Sequence, residues 1–92
     1  MDLSILIPTH NRAAVLRQTL VLLAKLDVPA EHRVELIVVA NACTDETAQA
    51  VAECAAQIPY PARCAAEPQP GVAHARNRAL AEARGEILFF LD

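Results

Sequence analysis

The chain predicts an α/β fold, an open parallel sheet with helices on both faces in the Rossmann-like manner. Two observations carry this. Short, continuously apolar runs at residues 3–7, 34–39 and 86–91 alternate with longer segments whose apolar residues recur at helical spacing. Runs that do not alternate apolar with polar belong to strands covered on both faces, and strand–helix alternation at this interval is the pattern of a parallel sheet.

The first run, residues 3–7, is closed by Pro8, and residues 13–26 follow with Leu16, Leu20 and Leu23 on one helical stripe. Residues 34–39 form a second buried strand. Residues 45–58 repeat the helical pattern through Ala48, Val51, Ala52, Ala55 and Ile58, with Thr44 placed as the N-cap. A weaker strand is expected at residues 62–66, between turns marked by Pro59, Pro61, Pro68 and Pro70. Residues 72–84 read as a third helix with Gly85 as its C-cap, and residues 86–91 read as a central parallel strand.

At 92 residues, 54% hydrophobic and 21% charged with no polar tract, the chain is one globular unit rather than a disordered segment. Much of the apolar content is Ala, which favours helix but makes a thin core. A net charge of −3 with scattered Lys and Arg argues against nucleic acid as a partner. The three cysteines are odd in number and lack CxxC spacing, so neither a disulfide framework nor a zinc site is indicated. No signal peptide and no apolar stretch of about 18 residues is present, so the expected location is cytoplasmic, or the cytoplasmic membrane face reached through sequence outside this chain. With only Gly71 and Gly85, neither GxGxxG nor GxxxxGK[ST] can be written. Phosphates would therefore be met by side chains or a metal ion rather than by a glycine-rich nest alone.

Asp92 stands directly behind the last apolar run. A buried strand that ends in a carboxylate delivers it to the carboxyl edge of the sheet, where α/β proteins bind ligands, so the chain is expected to stop inside an active site.

Three segments now stand in order: Ser4 to Arg12, containing Pro8, Thr9, His10 and Asn11; Val38 to Thr47, containing Asn41, Cys43, Thr44 and Asp45; and Gly71 to Asn77 with Gly85 to Asp92. Together they resemble the family 2 glycosyltransferases, inverting enzymes of the GT-A fold, and the resemblance spans essentially all of residues 1–92 as the N-terminal part of one such domain. It implies a nucleotide-sugar donor, with UDP-linked sugar expected, a saccharide, lipid or other hydroxyl acceptor, and a divalent Mg²⁺ or Mn²⁺ ion. Pro8, Thr9 and Asn11 match the turn that lines the nucleoside pocket. Asn41 matches the residue that contacts the base, and its amide would accept from a ring N–H and donate to a neighbouring carbonyl. Arg76 and Asn77 match an Ala-Arg-Asn segment, where a guanidinium pairs with a diphosphate or fixes the strand-end carboxylate. Asp92 matches the first carboxylate of the family's DxD motif and so its metal ligand. Ala40 and the Ala42-Cys43 pair depart from the family's usual residues, which leaves base and sugar specificity open. No catalytic residue falls within the chain, and the 92-residue piece alone is expected to be inactive.

Plainer readings stand beside these. Asn41 forms an Asx-turn equally well. Arg76 and Asn77 also fit a solvated helix face. Thr44, Asp45 and Thr47 read as capping residues, Cys43 as a small filler, and His10 and His74 as exposed or turn histidines with no partner at metal spacing. The alternative function is a non-catalytic α/β nucleotide-binding or regulatory module. A receiver-like domain would need acidic residues beyond the first strand, and Asp2 lies at its wrong end.

Overall fold

The computed structural model describes residues 1–91. The elements run β1 (Leu3–Thr9), α1 (Ala13–Ala24), β2 (Val34–Asn41), α2 (Thr47–Ala55), β3 (Ala62–Glu67), α3 (Val72–Glu82) and β4 (Ile87–Phe90). All pairings are parallel and the sheet order is β3-β2-β1-β4. The chain moves outward from β1 to β3 and then returns past β1 to place β4. Crossovers of one hand that reverse direction must put their helices on opposite faces. Ile5, Ile7, Leu36 and Val38 accordingly pack in one core with Leu16, Leu20 and Val51, while Leu6, Ile37 and Val39 pack against Ala75 and Ala79 of α3 on the other face. Every residue of β2 is buried, as an interior strand between two covered faces requires.

Several boundaries differ from expectation for identifiable reasons. Pro8 does not close β1, which runs on to Thr9. Leu3 donates to Arg33 on the β2 side and Leu6 accepts from Leu91 on the β4 side, so every second residue faces β4. Pro8 shares the side of Leu6, and β4 has ended there, so its missing N–H costs no ladder bond. Helix α1 stops at Ala24, and Lys25 and Leu26 tighten into i→i+3 bonds onto Leu22 and Leu23. Helix α2 begins at Thr47 and ends at Ala55. Its buried face is Thr47, Ala50 and Val51, not the stripe through Ala48 and Ala52, which are exposed. Ile58 still reaches the core from a tight turn after the helix.

The largest correction concerns Gly85. Helix α3 ends at Glu82, and Ala83 is already extended. The chain is drawn off the helix by two buried polar groups of the sheet: Glu35 accepts from the Arg84 N–H at 2.7 Å, and the Ser4 hydroxyl accepts from the Gly85 N–H at 2.8 Å while donating to Glu35 at 2.5 Å. Gly85 has no left-handed backbone and caps nothing. It is small because a Cβ there would stand 2.6 Å from the Ser4 backbone nitrogen. Strand β4 then covers residues 87–90 rather than 86–91. It pairs only with β1 among the described residues, so it is an edge strand, and Ile87, Leu88 and Phe89 are 66, 40 and 55% exposed. No helix of the described residues is long and apolar enough to cross a membrane.

Candidate functional site

Because β2 and β4 leave β1 in opposite directions, the sheet has a switch point at the carboxyl end of β1, where a crevice opens between diverging connections. The loops there are held by a few long-range polar contacts. Asp45 caps two helices at once. Its Oδ2 accepts from the Ala13 N–H at the start of α1 at 3.1 Å, and its Oδ1 accepts from both the Thr47 N–H and the Thr47 hydroxyl at the start of α2. The Thr47 hydroxyl holds the Asp45 carboxyl below its ordinary range against the opposing effect of burial, with further help from the Ala13 and Thr47 N–H groups. This carboxylate takes the capping role expected of Thr44. Asn11, in the left-handed region at φ 48°, accepts on Oδ1 from the Thr44 and Asp45 N–H groups, and its own N–H reaches the Cys43 sulfur at 3.3 Å. Cys43 is thus a joint between the β1 and β2 loops.

Asn41 fastens the other side. Its Nδ2 donates to the Glu67 and Gln69 carbonyls at 3.2 and 2.7 Å, and its Oδ1 accepts from the Gly71 N–H at 3.0 Å. Gly71, at φ 127°, makes the turn into α3 that only glycine makes without strain. A groove lies between this turn and β1. Pro8, Thr9 and His10 form one wall, Val72, Ala75 and Arg76 of α3 form the other, and Asn41 lies at the join. The His10 Nδ1 lies 2.6 Å from the Asn41 carbonyl oxygen, which only accepts, so Nδ1 carries the proton. The Arg76 guanidinium stands 4.7 Å from the centroid of the Phe90 ring, which steers it to the end of β4.

The electrostatics of this edge point to an anion. Among the described residues, α1 and α2 share the Asp45 carboxylate at their N-termini, whereas α3 opens on the groove with no side-chain cap. Free N–H groups at a helix N-terminus, with a guanidinium one turn along, favour a phosphate or carboxylate there. The groove encloses about 140 Å³. That is below the roughly 300–1,000 Å³ of sites that enclose a drug-sized ligand, so it holds one part of such a ligand and leaves the rest exposed.

The structure brings Pro8, Thr9, Asn41 and Arg76 together and separates the other expected site residues. Asn11 faces the β2–α2 loop, because its amide oxygen is taken by two backbone donors there. Asn77 is exposed on the helix face opposite Ala75 and Ala79, away from the groove. Asn41 lines the groove, but both N–H groups of the amide expected to read a base are spent on backbone carbonyls. Asp92 lies outside the described residues. Among those residues no group of three His, Cys, Asp or Glu side chains could hold a metal ion. Sequence reasoning set aside His10 as an exposed or turn residue. It is exposed, yet pinned at the groove, and its place directly after the Pro-Thr of β1 is the signal that would have found it.

The fold and groove define an α/β protein with a crevice open at a switch point beyond the strand ends. Residues 4–92 match the sequence profile described as glycosyl transferase family 2, and the chain belongs to that family. It is 33% identical over 92 residues to YdaM of Bacillus subtilis, described as a probable glycosyltransferase, covering 97% of this chain and 22% of that protein. The crystal structure of Staphylococcus aureus TarS residues 1–349 superposes with a TM-score of 0.82 at 30% identity, over 100% of this chain and 27% of that one. The mannosyltransferase PcManGT of Pyrobaculum calidifontis, in complex with GDP-Man and Mn²⁺, gives a TM-score of 0.83 at 34% identity over 95% of this chain and 26% of that one. The fold is therefore the N-terminal portion of a GT-A family 2 domain, and the chain spans 22% and 16% of the curated relatives YdaM and TarS.

Proposed function

We propose that the protein transfers a sugar, with inversion, from a nucleoside-diphosphate sugar to an acceptor hydroxyl, and that this chain holds the nucleotide. The observation that carries the proposal is the uncapped N-terminus of α3, on the same wall of the groove as Arg76 and opposite the β1 end at the switch point. A diphosphate is the anion that suits it. Support comes from the family and from the ligands named for similar solved structures, which are UDP and UDP-GlcNAc for TarS and GDP-Man for PcManGT. UDP-sugar is the donor proposed here. Uracil and guanine share a ring N–H beside a carbonyl.

Inversion means a single displacement: a base from outside these residues takes the acceptor proton, the hydroxyl oxygen attacks the anomeric carbon, and the nucleoside diphosphate leaves. Within this chain the contribution is binding and orientation, by Arg76 and the α3 N–H groups at the phosphates and by the β1 end at the nucleoside. A Mg²⁺ or Mn²⁺ ion held by Asp92 belongs to the proposal. It rests on the charge of a diphosphate, which hard cations offset, and on the Mn²⁺ of PcManGT. The acceptor class, a saccharide, lipid or other hydroxyl, and a cytoplasmic or membrane-face location are proposed on the family resemblance alone.

Calorimetric titration of UDP, UDP-GlcNAc and GDP-mannose into the intact protein, with Mn²⁺ and with a chelator, tests this reading. Micromolar binding that weakens on chelation and in Asp92→Asn is expected. A folded protein that binds none of the three would refute it.

A further inference from the structure

We propose that His10 selects the base, acting through Nε2 as a hydrogen-bond acceptor for a ring N–H. This rests on the nucleotide reading above and deepens it.

The argument is one of elimination over the polar side chains of the groove. The Asn41 amide has no free N–H, and its acceptor oxygen is already engaged by the Gly71 N–H. The Thr9 hydroxyl rotates and serves equally as donor or acceptor, so it distinguishes no base from another. Arg76 only donates. His10 alone offers an unengaged acceptor of fixed polarity: the Asn41 carbonyl oxygen, 2.6 Å from Nδ1, holds the proton on that nitrogen and leaves Nε2 with a lone pair. Nε2 has no partner among the described residues, and His10 lines the clefts on both sides of the β1 end. An obligate acceptor favours a base that presents N–H on its pairing edge, as uracil and guanine do. It disfavours cytosine and adenine, whose corresponding ring nitrogens are acceptors.

The charged side chains sharing these clefts are Arg76 on α3 and Arg12 at the start of α1, which only donate and so supply no acceptor for a ring N–H.

Binding of UDP, GDP, CDP and ADP to the intact protein tests the proposal. UDP and GDP bind about ten-fold more tightly than CDP and ADP, the size of one neutral hydrogen bond. In His10→Phe, which keeps a flat ring without a nitrogen, and in His10→Gln, whose amide accepts or donates, the preference disappears. Long-range ¹H–¹⁵N spectra show the proton on Nδ1. Equal binding of all four diphosphates overturns the proposal and leaves the nucleotide reading intact, as does a preference that survives in His10→Phe or an Nε2–H tautomer. Failure to bind any of the four overturns both.

Discussion

Replacing Gly85 with Ala asks whether the start of β4 is fixed by close approach to β1. The added Cβ would lie 2.6 Å from the Ser4 nitrogen and from the Ser4 Oγ, and 2.8 Å from the Leu3 carbonyl carbon. Favourable carbon contacts lie near 3.5–4.0 Å, so the shortfall is about 1 Å. Two of the three obstructing atoms are backbone of β1, which is clamped between β2 and β4 and cannot yield. The loop must lift instead. That stretches the 2.7 and 2.8 Å bonds from the Arg84 and Gly85 N–H groups to Glu35 and Ser4, leaving both acceptors buried and under-satisfied. Overpacking of this kind costs about 1–3 kcal/mol, and the weakened polar contacts add a similar amount. The expected loss is about 3–5 kcal/mol, a large share of the roughly 5–14 kcal/mol total expected for a chain of this length. Urea unfolding of the intact protein followed by circular dichroism measures it. Gly85→Asn separates this account from a helix cap, since Asn is accepted in a left-handed cap and is bulkier than Ala at a close approach. A loss below about 1 kcal/mol for Ala, or an Asn variant more stable than the Ala variant, would refute the close-approach argument.

Further outcomes follow from the same contacts. Glu35→Leu leaves the Ser4 hydroxyl and the Arg84 N–H without their acceptor and is expected to cost about 3 kcal/mol in the same assay, whereas Glu35→Gln keeps an acceptor oxygen and costs about 1 kcal/mol. Leu36→Ala, at a fully buried position of β2, is expected to lose about 2–5 kcal/mol, while Leu22→Ala, 66% exposed on α1, changes stability by less than about 0.5 kcal/mol. The Asp45 carboxyl is depressed in the folded state, so its contribution is present above the pKa of an unfolded Asp and is lost as pH falls through the lower folded value. Melting temperatures of Asp45→Asn and the parent should differ at neutral pH and converge in acid; a constant difference would show that the charge is immaterial. On the proposed function, which assigns the guanidinium to the phosphates, Arg76→Ala is expected to weaken UDP about ten-fold while leaving uridine binding unchanged.

Much of this architecture was legible in the residues alone. The apolar runs placed β1, β2 and β4 within a residue or two, and the leucine stripe of α1 fell on the core face as expected. Pro8, Thr9, Asn41 and Arg76 converge because strand ends and the first turns of crossover helices share one edge of any such sheet. The errors have a common origin. Gly85 has the local look of a C-cap, and Thr44 and Asp45 both have the local look of an N-cap. Each was settled by a partner far away in sequence: Ser4 for Gly85, and Ala13 for Asp45 together with its own neighbour Thr47.

Asn41 and His10 divide the two sources of information most clearly. Residue pattern alone determines which segments are strand or helix, the buried runs of β1 and β2 and the buried stripe of α1, and which loops reach the carboxyl edge, because these follow from apolar periodicity and from the order of elements. What those polar groups do there was decided by tertiary structure. The return crossover to β4 leaves β1 and β2 as the neighbours beneath the β3–α3 turn. That placement spends the Asn41 amide on Glu67, Gln69 and Gly71 and turns the Asn41 carbonyl toward His10. A hydrogen bond depends on distances of a few tenths of an ångström between atoms some thirty residues apart in the chain, and such distances exist only once the sheet has assembled.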